Sequence, residues 1–273
     1  MYKGRLFTFG CSFTKYIWPT WADLLGLEFE QHYNYGKTGG GNLFIACSVA
    51  EAVATHNITS DDTVLIMWTN VTREDRYINN RWFTPGNIFT NQRDYSEDFI
   101  KNMVSIRGCY VRDMAQIFLT DNLLQKIGCR YEFMSIVDVD NSDQYDQKNS
   151  SDEVQDVLNL YKLSIDKFKP SFHKIVFNYD WRNNKPIYDI NNNKLIERFD
   201  LHPLPIEHIE YINLVLPEYK FSDKTTEIAK DIDTKIRMIY REGASMKNPR
   251  QWVSSTLREN WNVWNIDNKS VRL

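Results

Sequence analysis

Short apolar runs along this chain alternate with longer stretches in which apolar residues recur every three or four positions. Arg5–Phe9 is a run of the first kind and predicts a strand that ends at Gly10. WPTWADLLG then reads as the start of a helix, with Thr20 as N-cap and Asp23 at the spacing from which a carboxylate reaches back to the cap N–H. Leu27–Tyr33 alternates as a second strand, and Leu43–Ala54 carries small and apolar residues at helical spacing. Asp62–Met67 (DTVLIM) is a continuously apolar strand, as a sheet buried on both faces requires. Ser96–Ile127 predicts one long helix closed by Gly128. CRYEFMSI is a strand, DNSDQYDQKNSSD a polar loop, Glu153–Phe168 a helix and HKIVFN a further short strand. PLPIEHIEYINLVL is helical after its prolines, and an amphipathic helix runs from about Asp223 to Tyr240.

Strands alternating with helices predict an α/β fold with a central parallel sheet covered by helices on both faces, spanning about residues 1–240. Residues 241–273 change in character and hold three of the eight tryptophans, Trp252, Trp261 and Trp264. This C-terminal extension either docks on a partner or a second copy through those rings or packs them back on its own domain.

With 273 residues the chain is long enough for a sizeable core, and a net charge of −3 gives no global basic field to attract nucleic acid. Cys11, Cys47, Cys109 and Cys129 show no CxxC spacing and read as reduced thiols. MYKGRLFTFG lacks the apolar stretch of a signal peptide, and no segment approaches 18 uninterrupted apolar residues. The expectation is a soluble cytoplasmic protein without a membrane partner.

Ligands of an open α/β sheet bind beyond the carboxyl ends of its strands, which is where three candidate segments fall. In FTFGCSFT, Ser12 follows a glycine at a strand end and is either an exposed nucleophile or a turn-stabilising hydroxyl. Cys11 is the chemical competitor; alternation of side chains assigns one of the two to the site and the other, taken to be Cys11, to the core. NYGKTGGGN contains Gly-Lys-Thr, but a phosphate loop needs a glycine where Gln31 stands. Its glycines leave bare N–H groups for an oxyanion, or simply connect to the next helix. In MWTNVTRED, Asn70 is either an oxyanion donor or the head of an Asx-turn, and Arg73, Glu74 and Asp75 read as a solvated charge run. A fourth segment, RFDLHPLPIEH, supplies His202 as a general base, with Asp200 two residues earlier and Pro203 opening a helix; the alternative is a surface histidine. His208, the competing histidine, sits inside the helix as a packing or surface residue.

These four segments, in this order, resemble the blocks of the SGNH/GDSL hydrolase superfamily, most nearly its members in tailed bacteriophages. The resemblance covers roughly residues 1–240. It implies a flavodoxin-like three-layer α/β/α fold. GCS at 10–12 puts Ser12 in the nucleophile role, NYGKTG at 34–39 makes Gly39 a backbone oxyanion donor, WTN at 68–70 makes Asn70 the side-chain donor, and DLHP at 200–203 makes His202 the base with Asp200 as its partner. The sequence departs from the family pattern at Cys11 in place of an acid, at Trp68 in place of the glycine before Asn70, at Val71 in place of the aspartate after it, and in a DxH shortened from DxxH. What the resemblance implies is a serine-dependent carboxylic ester hydrolase acting on a small acyl ester or an acylated carbohydrate, with no metal or nucleotide cofactor. The alternative is a catalytically inactive virion-associated or glycan-binding protein on the same fold. A phage origin would place the protein in host cytoplasm or virion.

Overall fold

A computed structural model describes residues 1–89, 94–139, 151–178, 187–189, 194–196 and 202–243. The tail tryptophans and Asp200 lie outside the described residues. Four parallel strands form the central sheet: β1 (Tyr2–Gly10), β2 (Phe29–Asn34), β3 (Thr63–Trp68) and, after the hairpin and helices that follow, β6 (Arg130–Ser135), in the order β2-β1-β3-β6. Gly10 lies opposite Met67, Thr8 opposite Asn34 and Trp68 opposite Ser135, so all four strands leave the sheet at one edge.

Alternation along the strands feeds two cores. Phe7, Phe9, Val64, Ile66, Trp68 and Phe133 meet helices α2 (Asn42–His56), α4 (Ile106–Ile127) and α5 (Ser151–Leu160). Leu6, Leu65, Met67 and Met134 meet α1 (Trp21–Gly26), α7 (Phe172–Phe177) and α8 (Pro205–Val215) on the other face. Helices therefore cover both faces, which is the three-layer arrangement expected, and β3 is buried along its whole length for that reason. The last helix, α9 (Asp223–Gly243), packs outside α8, where Ile232, Ile236 and Ile239 close over Trp18 and Leu204. Among the described residues no helix is long and apolar enough to cross a membrane.

Four expectations are corrected. The long helix divides into α3 (Glu97–Met103) and α4, because Val104 is extended and Ser105 Oγ accepts the Gly108 N–H at 3.0 Å, starting the helix afresh. The helix expected over Glu153–Phe168 is α5 followed, across Tyr161, by the short α6 (Lys162–Ile165). HKIVFN is not a strand but most of α7, capped by Ser171 and ended by Asn178 in the left-handed region at φ 48°. The helix after His202 opens at Pro205 rather than Pro203, with Glu207 Oε2 accepting the Leu204 N–H.

A hairpin, β4 (Arg73–Ile78) and β5 (Arg81–Asn87), turns through Asn79 and Asn80, both at positive φ. Its start overturns the expectation of a solvated charge run. Asp75 is buried and accepts the Gly41 and Phe44 N–H groups, capping α2, while Glu74 pairs with Arg112 and Arg76. These charges supply partners for the N–H groups at the start of α2 and for a guanidinium of α4, so they face inward. A second small hairpin pairs β7 (Ile187–Asp189) with β8 (Lys194–Ile196).

Candidate active site

The end of β1 makes a tight turn. A Cβ on Gly10 would lie 2.1 Å from Thr14 Oγ1 and 2.9 Å from Met67 O, so only glycine lets the chain fold back here. The Thr14 and Lys15 N–H groups both donate to Cys11 O. Buried polar groups lock this turn to its neighbours. Thr14 O accepts from Thr20 Oγ1 (2.6 Å) and from Asn34 Nδ2 (3.0 Å), Asn34 Nδ2 also donates to Asp23 Oδ1, and Asp23 Oδ2 accepts the Thr20 N–H. Asp23 and Thr20 thus do cap α1 as their spacing predicts, and Asn34 ties that cap to the end of β2. Burial pushes the Asp23 carboxyl upward, opposed by the Thr20 and Asn34 donors.

Cys11 is fully buried in the core against α1, α7 and α8. Ser12 is buried too, 4% exposed rather than open to solvent as expected, and its Oγ lies 2.8 Å from His202 Nε2, across 190 positions of sequence. Its other contact is long, 3.9 Å to Cys11 Sγ. The imidazole of His202 stacks on Tyr16 with centroids 3.8 Å apart and planes 14° from parallel, and Phe13 lies 5.5 Å away on a tilt. His208 does not compete as a base. It is buried against Phe172, and burial, with the nearby His202 adding to it, pushes its pKa down to about 3. Among the described residues its Nδ1 has no hydrogen-bond partner.

Gly39 and Asn70 come to the same sheet edge by the parallel register. The Lys37 N–H donates to Gly10 O and holds the loop after β2 against the end of β1. Gly39 follows two residues later at φ +77°, and a Cβ there would lie 2.2 Å from Thr84 O of β5. The hairpin packs onto this loop because that position is glycine. Asn70 stands just past β3. Its Oδ1 accepts both the Thr72 N–H (2.8 Å) and the Thr72 hydroxyl (2.6 Å), so it does head an Asx-turn. A backbone N–H can only donate, which fixes oxygen at this position and directs Asn70 Nδ2 away from Thr72. The turn reading of Asn70 therefore holds, and it does not use the Nδ2 N–H groups that the donor reading requires.

Asn42, last residue of NYGKTGGGN, was given no role by the sequence. Its Oδ1 accepts the Thr69 N–H, and its Nδ2 donates to Thr69 O and to Asp113 Oδ2, all in the buried interior. This latch fixes the backbone immediately before Asn70. Asp113 in turn pairs with Arg112, whose guanidinium also binds Val71 O and Arg73 O; burial pushes the Asp113 carboxyl up to about 6 against the pull of that charge. Asn42→Ala removes the partner of the Thr69 N–H, of Thr69 O and of Asp113 Oδ2, and is expected to cost about 2–3 kcal/mol, read as a lower urea midpoint with an unchanged slope.

No protein-family model matches the chain, and no curated protein matches it. Among solved structures it is similar to an acetyl xylan esterase from Geobacillus stearothermophilus, at 16% identity over 80% of this chain and 95% of that one with a TM-score of 0.45. It is also similar to a GDSL-like lipase from Bacteroides thetaiotaomicron, at 11% identity over 78% and 86% with a TM-score of 0.41. A member of the lipolytic protein G-D-S-L family from Veillonella parvula gives 15% identity over 77% and 96%, also with a TM-score of 0.41. These likenesses concern the course of the backbone alone, and the functional reading rests on the geometry of the site.

Proposed function

We propose that the protein is a serine-dependent carboxylic ester hydrolase whose substrates are small acyl esters or acylated carbohydrates. The observation that carries this reading is the 2.8 Å contact between Ser12 Oγ and His202 Nε2 at the carboxyl edge of the parallel sheet. Ser12 Oγ attacks the ester carbonyl carbon while its proton passes to His202 Nε2, and the carbonyl oxygen takes the negative charge. Collapse of this tetrahedral species breaks the bond to the alkoxy oxygen, which leaves as the alcohol with the proton from His202. Water, deprotonated by the same imidazole, then releases the acid and restores Ser12. The Ser12 and Gly39 N–H groups and Asn70 Nδ2 act as the oxyanion donors, and Asp200 is the carboxylate partner proposed for His202.

A screen of short-chain and sugar acyl esters tests the reading and names the acyl group; hydrolysis of none of them would count against it. Asn70 offers a finer test, since its two roles separate by substitution. Asn70→Asp keeps an acceptor for Thr72 but places a carboxylate oxygen where a donor is required. It is expected to lower kcat by about 10²–10³-fold, while the melting temperature stays close to that of the parent. Equal activity would remove Asn70 from the oxyanion site.

A further inference from the structure

The segment that carries the nucleophile also grips the histidine. Within seven residues of the Ser12 turn, three side chains reach three consecutive positions on the remote loop: Ser12 and Tyr16 meet His202, Trp18 Nε1 donates to Pro203 O at 2.8 Å, and the Trp18 ring packs with Leu204. Trp18 and Leu204 are fully buried, and Ile232, Ile236 and Ile239 of α9 close over both. Tyr16 itself abuts Trp18 edge to face, with centroids 4.7 Å apart and planes at 83°. The stack on His202 is therefore backed by an indole that has no room to move.

We infer that Tyr16 and Trp18 are positioning residues that hold the His202 imidazole in line with Ser12, and this rests on the esterase reading above. A parallel stack at 3.8 Å fixes the plane of the imidazole and leaves its edge, with Nε2, directed at Ser12 Oγ. The Trp18 hydrogen bond anchors the backbone one residue further on, beside the stacked ring. The phenol face also meets positive charge when the imidazole accepts the serine proton, which is where a cation gains from a π-system. Both effects are larger in the transition state than in the resting enzyme, so they belong in kcat rather than KM.

The test uses three variants of the full chain. Tyr16→Leu keeps apolar cover and removes the ring, Tyr16→Phe restores the ring without the hydroxyl, and Trp18→Phe keeps an aromatic body and removes the N–H donor. Proton NMR of the imidazole C–H groups, with the His202 signals identified by their loss in His202→Ala, reads the stack independently of activity. The parent enzyme should show these signals displaced upfield by the Tyr16 ring, Tyr16→Leu should abolish that displacement, and Tyr16→Phe should recover it. With p-nitrophenyl acetate, Tyr16→Leu is expected to lower kcat about 10–100-fold with KM changed by no more than about threefold; Tyr16→Phe should regain most of the loss, and Trp18→Phe should cost about tenfold. His202 signals that stay in place in Tyr16→Leu would overturn the inference, and so would a kcat within about twofold of the parent. If Ser12→Ala retained full esterase activity, the functional reading would fall while the NMR result still decided whether the stack exists.

Discussion

Replacing Ser12 with alanine is expected to lower kcat for p-nitrophenyl acetate by about 10⁴-fold or more while leaving the protein folded. The two halves of that expectation come from different contacts. The serine hydroxyl is the atom proposed to form the acyl bond, and without it the oxyanion donors have no attack to stabilise. Structurally the hydroxyl does little: it touches His202 and, at 3.9 Å, Cys11 Sγ. The turn itself is held by Gly10, by the Thr14 and Lys15 N–H groups on Cys11 O, and by the Asn34–Asp23–Thr20 network, none of which involves the Ser12 side chain. Loss of one hydrogen bond costs about 1 kcal/mol, so the melting temperature should fall by only a few degrees. Cys11 is not expected to take over: its side chain is fully buried in the core with α1, α7 and α8, and its Sγ accepts the Phe13 N–H, whereas the hydrogen bond to His202 is made by Ser12 Oγ.

His202→Ala is expected to have the second largest effect, about a 10³-fold loss in kcat. The loss should not be compensated from within the protein. His208 is the nearest alternative, but its burial keeps the ring neutral and aimed into the packing around Phe172. The deleted ring leaves a slot between Tyr16 and Phe13 that matches a free imidazole in shape. Added imidazole should therefore restore part of the activity in this variant and none in Ser12→Ala. Full activity in His202→Ala would remove it from the mechanism, whereas rescue that appeared equally in both variants would point to catalysis in free solution.

Much of this site is legible in the sequence because the sheet is parallel. Successive strands end at one edge, so residues that follow β1, β2 and β3 are brought together whatever their distance along the chain, and GCS, NYGKTG and WTN each follow a strand. The end of α4 was legible for a local reason: Gly128 adopts φ +76°, as a C-terminal cap requires. HKIVFN shows where such reasoning stops. A short apolar run suits a buried strand or a buried helix equally, and the choice was made by the Ser171 cap and by packing of Phe172 against Tyr211. The hairpin left a signal in Asn79–Asn80 between alternating residues, but the charges of its first strand mimicked a solvated loop. What could not be read at all are the contacts that hold the loop of His202 and the backbone before Asn70. Tyr16, Trp18 and Asn42 act through contacts that span 27 to 186 positions, and nothing in their immediate sequence announces a partner.

The central claim is that Ser12 is the nucleophile and its neighbour Cys11 is not. The most direct measurement is to treat the native protein with a fluorophosphonate, which transfers phosphorus to an activated hydroxyl with loss of fluoride, and then to locate the adduct by peptide mass spectrometry. The account predicts a single adduct on Ser12, absent from Ser12→Ala and much slower to form in His202→Ala. An unmodified Ser12, or an adduct on another residue that accompanies loss of esterase activity, would contradict it.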